Sequence, residues 1–367
     1  MAFALTLFTF IFFSLTNANA LISFEDATFP ELATSGRALA MGNAYIGKVD
    51  DSSSTFYNPS GLGTVRNKHF HLSNLYLETN KGAVDLGAGG NISAVGTGIG
   101  KSFGLDGTRQ LLLTNRGKTS SSRVQVMPNF TARFFSIGYF LSRRTKATMG
   151  LQTNAKFEYA YRLDHGPYAS LNISLFGGVF KFGASGALVK RNEAIGEIAR
   201  TASFVLDDDN TNKGHMLYIT AGGKMTLPIA FLPTFSAVIH NFSSGAFSHD
   251  GGPAAPAIVP KSMDVGFSLS PKIAKNSILH IEYNYKDFGG AFASVGTSRK
   301  SMLGMEFDFG RLFFIRFGYG DGFGSGGLGI KTQKMEVDLT TYAVDRTANE
   351  FRGKEDRRFS LNISSGF

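Results

Sequence analysis

From about residue 68 to the C-terminus, apolar and polar residues alternate with a period of two, and this pattern leaves few folds open. Leu279, Ile281, Tyr283 and Tyr285 point one way, while His280, Glu282, Asn284 and Lys286 point the other. Met335, Val337 and Leu339 oppose Lys334, Glu336, Asp338 and Thr340. Leu303, Met305, Phe307 and Phe309 oppose Glu306 and Asp308, and Ala155, Phe157 and Tyr159 oppose Asn154, Lys156 and Glu158. Successive side chains of a strand leave opposite faces, so each segment reads as a strand with one greasy and one charged face. No run after the N-terminus reaches the ~18 apolar residues of a spanning helix. An all-β fold is expected. A soluble sandwich would alternate in the same way, with its apolar face buried.

The two ends of the chain favour a membrane. Residues 1–20 read as a secretory signal peptide: a short apolar stretch ends in the small-x-small sequence Ala18-Asn19-Ala20, although the usual basic residue before it is missing. The last segment, Arg358 to Phe367, places Phe359, Leu361, Ile363, Ser365 and Phe367 on one face. A terminal Phe after alternating apolar positions resembles the signal read by the barrel-assembly machinery, with Phe359, Leu361, Ile363 and Phe367 as its anchors. The expectation is an outer-membrane antiparallel β-barrel. About fourteen strand-like segments follow residue 67, in keeping with the even strand number of bacterial barrels. A charge on the lipid face costs ~2–4 kcal/mol at the midplane. Lys156, Glu158, Glu282, Lys286, Glu306, Asp308, Glu336 and Asp338 are therefore expected in the lumen, where Glu306 and Asp308 can meet Arg316. Such a lumen is wet or laced with ion pairs.

Composition narrows the function. The absence of Cys excludes disulfides, thiolate metal sites and Cys nucleophiles. With no Trp, interfacial girdles must be built from Tyr and Phe, and the 35 Phe residues supply them. The 44 Gly suit curved strands and tight turns. The net charge of +9 is spread singly along the strands, which fits rims facing lipid and lipopolysaccharide headgroups rather than a nucleic-acid surface. Polar gaps at 192–214 and 243–262 read as extracellular loops, and Phe309-Gly310-Arg311 as a periplasmic turn. The adjacent aromatics Phe134, Phe135, Phe313 and Phe314 cover both faces of their strands, as at a subunit interface or against a plug.

Several motifs fail on context. Gly322-x-Gly324-x-x-Gly327 lacks a following helix and reads as a Gly-rich turn. Gly96 to Ser102 is one residue short of a phosphate loop, since Val95 stands where the first Gly belongs. With Leu111 to Leu113 it suits a lumenal or loop segment near a plug. Asp208-x-Asn210-x-Asn212 resembles the start of a calcium loop, but Lys213 occupies the Gly position and Ile219 the terminal Glu position, so Asp207, Asp208 and Asp209 read as a solvated loop tip. His69 and His71 share a strand face without a third metal ligand. No nucleophile elbow occurs, so no metal, cofactor or enzymatic activity is expected.

Residues 35–66 read SGRALAMGNAYIGKVDDSSSTFYNPSGLGTVR. Arg37, Met41-Gly42, Ala44, Asp50-Asp51 and Asn58-Pro59-Ser60-Gly61 resemble the N-terminal segment of the FadL/OMPP1/TodX superfamily, which includes PorV-like proteins. Ser60 stands where the pattern has Ala. The resemblance implies a fourteen-stranded barrel (68–367) plugged by an N-terminal hatch (21–67). Physically, Pro59 biases Asn58 away from helix, and Asn58 can close an Asx turn. The resemblance also implies passage of hydrophobic compounds such as fatty acids or aromatic hydrocarbons, which leave sideways through a strand kink. In the PorV branch it implies docking of secreted proteins. Three readings stay open: a carrier of hydrophobic small molecules, a structural or docking barrel (homo-oligomeric and lipid-associated), and a plugged porin for polar solutes.

Overall fold

The structure is a computed structural model. It describes residues 32–366 apart from 66–68, 88–95, 97–98, 153, 203–205, 208, 244 and 348–349. Residues 1–31, which hold the expected signal peptide and the start of the expected hatch, and Phe367 lie outside the described residues.

Strands follow the alternating segments: β1 (His69–Asn80), β2 (Thr119–Val126), β3 (Asn129–Ala132), β4 (Phe135–Met149), β5 (Phe157–Leu175), β6 (Phe180–Ile198), β7 (Asn212–Thr226) and β8 (Thr234–His240). Then come β9 (Ser262–Leu269), β10 (Lys272–Ala274), β11 (Ser277–Tyr285), β12 (Ser301–Phe309), β13 (Phe313–Gly320), β14 (Phe323–Lys331), β15 (Met335–Asp345) and β16 (Glu355–Gly366). Every pairing is antiparallel, and apart from β3 and β10 each strand lies between the staves before and after it in sequence. The ring closes where β1 meets β16, with Leu77 opposite Leu361, and where β9 meets β11, with Phe267 opposite Tyr283. β2 and β3 are two halves of one interrupted stave, and β10 is a short arm between β9 and β11. The result is a closed fourteen-stranded barrel.

Closure leaves no sheet edge, so every stave satisfies its backbone through its neighbours. The alternation then sorts side chains. Ile137, Leu171, Ile173, Phe182, Leu217 and Phe317 stand exposed on the outer wall, while Ser136, Ser170, Asn172, Ser185 and Thr220 are buried on the lumenal side. One end carries short turns such as 310–312 and 332–334, and the other carries the longer connections such as 241–261. By the general rule for bacterial barrels the short turns are periplasmic.

The wall is uneven. β5 and β6 run for 19 residues each, whereas β12 and β14 have 9 and β13 has 8. The gap expected at 192–214 is therefore shorter: β6 continues to Ile198 and β7 begins at Asn212, because Arg191, Asn192 and Glu193 pair with Gly214, Lys213 and Asn212. The first long connection holds a helix, α1 (Leu105–Thr114). Its Leu105 and Leu112 pack on Ala147, Met149, Phe157 and Tyr159, which share strand parity with the exposed residues of β4 and β5. The tall wall keeps an apolar outer face above the bilayer, and the helix shields it from water. This corrects the expectation that Ser102 and 111–113 lie near the plug, while 97–98 lie outside the described residues. Lys156 precedes β5 and forms an exposed ion pair with Glu197 at the loop end.

The C-terminal residues Phe359, Leu361 and Ile363 lie on β16 opposite Thr79, Leu77 and Leu75 of β1. Gly322 forms the turn between β13 and β14, with Gly324 and Gly327 following on β14.

Candidate functional site

The segment from Leu32 to Val65 lies within the lumen, and nearly all of it is buried. It contains two short helices, Gly36–Ala40 and Ser54–Tyr57, and a 3-10 turn, Pro59–Thr64. Asn58 holds the last turn in place. Its Oδ1 accepts from the Ser60 N–H at 3.1 Å and the Ser60 hydroxyl at 2.7 Å, while its Nδ2 donates to Ile46 O at 2.9 Å. The Ser60 hydroxyl thus makes a bond that Ala could not.

The hatch approaches the wall where the wall has no side chains. A Cβ on Gly318 would lie 2.1 Å from the Gly42 nitrogen and the Met41 carbonyl carbon. One on Gly183 would lie 2.2 Å from the Pro59 carbonyl carbon. Part of the glycine excess therefore serves plug docking rather than strand curvature. Gly42 itself has φ +63, a left-handed backbone, against the Tyr319 main chain.

Charge holds the hatch on the β11–β15 side. Arg37 grips Glu306 with two nitrogens, each at 2.7 Å, and its third nitrogen meets Asp50 at 2.7 Å. Glu306 also accepts from Arg316 at 2.8 Å, and Arg316 reaches Asp338. Glu282 accepts the Gly47 and Lys48 amides at 2.6 and 2.9 Å, and Lys224 of β7 donates to Gly47 O at 2.9 Å. Phe314 lies under Arg37, with the guanidinium 5.9 Å from its ring centre. Phe134, Phe135 and Phe313 are exposed instead. Burial alone would push the Asp50 carboxyl up, but Arg37, Lys48 and Lys331 outweigh it and hold Asp50 well below the usual carboxylate range. Asp51 accepts from Tyr45 at 2.6 Å and from the Ser53 amide at 2.9 Å.

Beside this network is a polar cavity of about 770 Å³, lined by Arg37, Lys48, Asp50, Asp308, Lys331 and Glu336 among others. It reaches the turn end at Gly310–Leu312 and Thr332–Gln333. Lys286 pairs with Asp264 at 3.2 Å elsewhere in the lumen, and Glu158 is half-buried at the start of β5. His71 lines the same cavity and meets Ser364 at 2.7 Å. Asp207 and Asp209 are exposed on a loop, while Asp208 lies outside the described residues.

The β4–β7 side of the lumen, beside polar residues such as Ser170, Asn172 and Lys224, carries an apolar cluster. Phe140 of β4, Tyr168 of β5, Ala187 and Val189 of β6, and Met216 and Tyr218 of β7 form one buried cluster. Phe56 of the hatch enters it edge-on, 5.2 Å from Phe140 and 5.4 Å from Tyr168 between ring centres. At the loop end Phe247 folds in under Arg191, and at the opposite limit stands Met127. Met127 and Pro128 form the interruption between β2 and β3. Pro128 has no N–H to give the ladder, though its carbonyl accepts from Tyr139 at 3.0 Å. Facing it, the β1–β16 register shifts between His71 and Ser73. The apolar cluster therefore ends at the least regular part of the wall.

Sequence reading missed this cluster because it looked for charge on the inward face. Unbroken apolar runs carried the signal: Tyr139-Phe140-Leu141, Ala187-Leu188-Val189 and Met216-Leu217-Tyr218-Ile219 are apolar on both faces.

Among the described residues no group of three or more His, Cys, Asp and Glu could hold a metal. Ser248, His215 and Asp250 meet at the loop end, but Ser248 and Asp250 both touch Nδ1 of His215, at 2.8 and 2.7 Å. A proton relay needs them on opposite ring nitrogens.

No protein-family model matches the chain, and no curated protein matches it. Solved structures do. A TodX deltaS2S3 mutant monoaromatic hydrocarbon channel aligns over 92% of this chain and 99% of its own, with TM-score 0.54 and 11% identity. The CymD monoaromatic hydrocarbon channel aligns over 91% and 98%, with TM-score 0.50 and 10% identity. The TodX deltaS2 mutant gives 0.50 and 10% over 91% and 99%. In fold, the chain is similar to these outer-membrane channels: a closed fourteen-stranded antiparallel β-barrel whose N-terminal segment from Leu32 to Val65 packs inside the lumen.

Proposed function

We propose that the barrel takes hydrophobic small molecules from the loop end and releases them sideways into the outer membrane. The observation that carries this is the continuous apolar cluster from Phe247 through Met216, Val189, Tyr168 and Phe140 to Met127, ending at the interrupted stave. A straight path to the turn end would cross the hatch and the charged cavity, where desolvating ion pairs is costly. A sideways path at Met127-Pro128 leaves at the edge of that cavity, which Met127 lines, without passing between its ion pairs. The two channels of like fold named for monoaromatic hydrocarbons support the same reading. It requires export by residues 1–20, assembly through β16 and no catalytic step.

The test uses the purified barrel in vesicles and a fluorescent apolar probe. Val189→Asp places a carboxylate in the cluster and should abolish saturable probe binding. Pro128→Val restores a ladder donor and should slow probe transfer to the bilayer while binding persists. Probe transfer unchanged by both variants would sink the proposal. Ionic conductance in the intact barrel would favour a porin, and a ring of subunits with neither activity a docking role.

A further inference from the structure

The turn end of the barrel has a property that neither the plug nor the apolar cluster uses. Its connections are 133–134, 176–179, 227–233, 270–276, 310–312 and 332–334, and none contains Asp or Glu. They do contain Arg133, Lys272, Lys275, Arg311 and Lys334, all exposed. The nearest carboxylates, Asp308 and Glu336, face the lumen: Asp308 accepts the Arg311 amide at 2.7 Å, and Glu336 is bonded to Lys331 at 2.7 Å. Among the described residues of these connections the outward charge is therefore of one sign. The loop end, by contrast, mixes signs, with Asp106, Glu197, Asp207, Asp250 and Glu355 among its residues.

The rim is also divided by polarity. Its β3–β8 sector carries large apolar tips: Phe134 is 41% exposed, Phe176 79%, Ile229 59%, Phe231 60% and Leu232 46%. Four of these have positive φ (Phe134 82°, Phe176 50°, Phe231 65° and Leu232 48°), a conformation that Gly and Asn occupy far more cheaply. Bulky apolar residues in left-handed turns exposed to water would gain nothing from that strain. Immersed at the acyl–headgroup boundary they recover it through burial. They continue the lipid-facing rows below them: Phe134 follows directly into Phe135 and Ile137, and Phe176 follows Ile173 and Leu175. Arg133 stands over the Phe134 ring at 4.9 Å, placing a cation at the level where the apolar tip ends.

We infer that the turn-end rim is a collar for anionic phospholipid of the periplasmic leaflet. The apolar tips of the β3–β8 sector sink to the acyl boundary. Arg133, Lys272, Lys275, Arg311 and Lys334 take the headgroup phosphates. Charge complementarity and continuity with the lipid-facing wall select a lipid over an acidic protein, which would gain little from apolar tips already level with the bilayer. The collar is independent of what passes through the lumen.

The full-length barrel is reconstituted in vesicles of equal phosphatidylcholine and phosphatidylglycerol, extracted with a limited lipid annulus, and the retained lipids are counted. Phosphatidylglycerol should be enriched roughly threefold over the bulk ratio, in line with basic residues near an anionic surface. Arg133→Gln/Lys272→Gln/Lys275→Gln/Arg311→Gln/Lys334→Gln should return the ratio to that of the bulk. Neutralising Lys156, Lys213, Arg346 and Lys354 at the loop end should leave it enriched. Heat-modifiable migration on gels checks that each variant remains a folded barrel. A wild-type ratio equal to the bulk, or an enrichment the rim variant keeps, overturns the collar. So does saturable capture of an acidic peptide that phosphatidylglycerol fails to displace.

Discussion

The β4–β7 wall and the β11–β15 wall enclose the same lumen, yet they present it with opposite chemistry. On β11–β15 the inward positions are Glu282, Glu306, Arg316 and Asp338, and the hatch meets them with Arg37 and its own amides. On β4–β7 they include, beside polar residues such as Ser170, Asn172 and Lys224, the apolar Phe140, Tyr168, Val189 and Met216, and the hatch meets these with Phe56, Leu32 and Ala33. Buried ion pairs are intolerant of partner loss, since a stranded charge keeps its full desolvation cost. Apolar contacts are non-directional and can be exchanged for an apolar ligand of similar size. The charged half therefore fixes the plug, and the apolar half is where a guest can replace it.

That contrast can be broken from either side. Arg37→Met strands Asp50 and removes both bonds to Glu306. A loss of about 3–5 kcal/mol in hatch docking is expected, seen as a rise in single-channel conductance. Conductance equal to that of the parent would show that the ion pairs do not hold the plug. Gly318→Val drives a side chain into the Gly42 and Met41 backbone. It should cost about 1–3 kcal/mol and expose the hatch to added protease, whereas Gly324→Val, with open space around it, should not. On the apolar side, Val189→Thr buries a hydroxyl at nearly constant volume. It should weaken apolar probe binding by about 1–3 kcal/mol while leaving conductance unchanged, and coupled changes in both readouts would erase the division into halves. Ser60→Ala removes one hydrogen bond to Asn58 and should lower hatch stability by about 0.5–1.5 kcal/mol, read by hydrogen exchange of the 59–64 amides.

Acid offers a titration of the same contrast. The Asp50 carboxyl is held below its ordinary value, so its contribution to docking is complete above the unfolded carboxylate pKa of about 3.9. It is lost as pH falls below that toward the lowered folded value. Conductance should stay low from neutral pH down to about 4 and rise only in stronger acid. Plug release near pH 6 would point to a histidine instead.

Much of the architecture was legible because a two-residue period is a local property. Glu282, Glu306 and Asp338 were assigned to the lumen from the cost of charge in lipid, and the structure buries all three there. The same rule included Lys156, which lies just beyond the stave, because alternation continues in the chain past the last paired residue and cannot mark where the stave ends. It was silent at Phe140, Val189 and Met216, where both faces are apolar and parity alone assigns no side. The Arg37–Glu306 pair lies 269 residues apart, and no spacing rule links its members.

By itself the sequence determined the strand class, the inward and outward parity of the charged staves and the segment that becomes the plug. These follow from near-neighbour periodicity and from the price of charge in a bilayer. Only the tertiary structure decided that wall glycines receive the hatch backbone and that the first loop covers the outer wall. It alone joined the apolar runs of four separate staves into one cluster ending at Met127. Those features depend on closure of the ring, which brings distant staves to a common depth, and depth is not written in any local pattern.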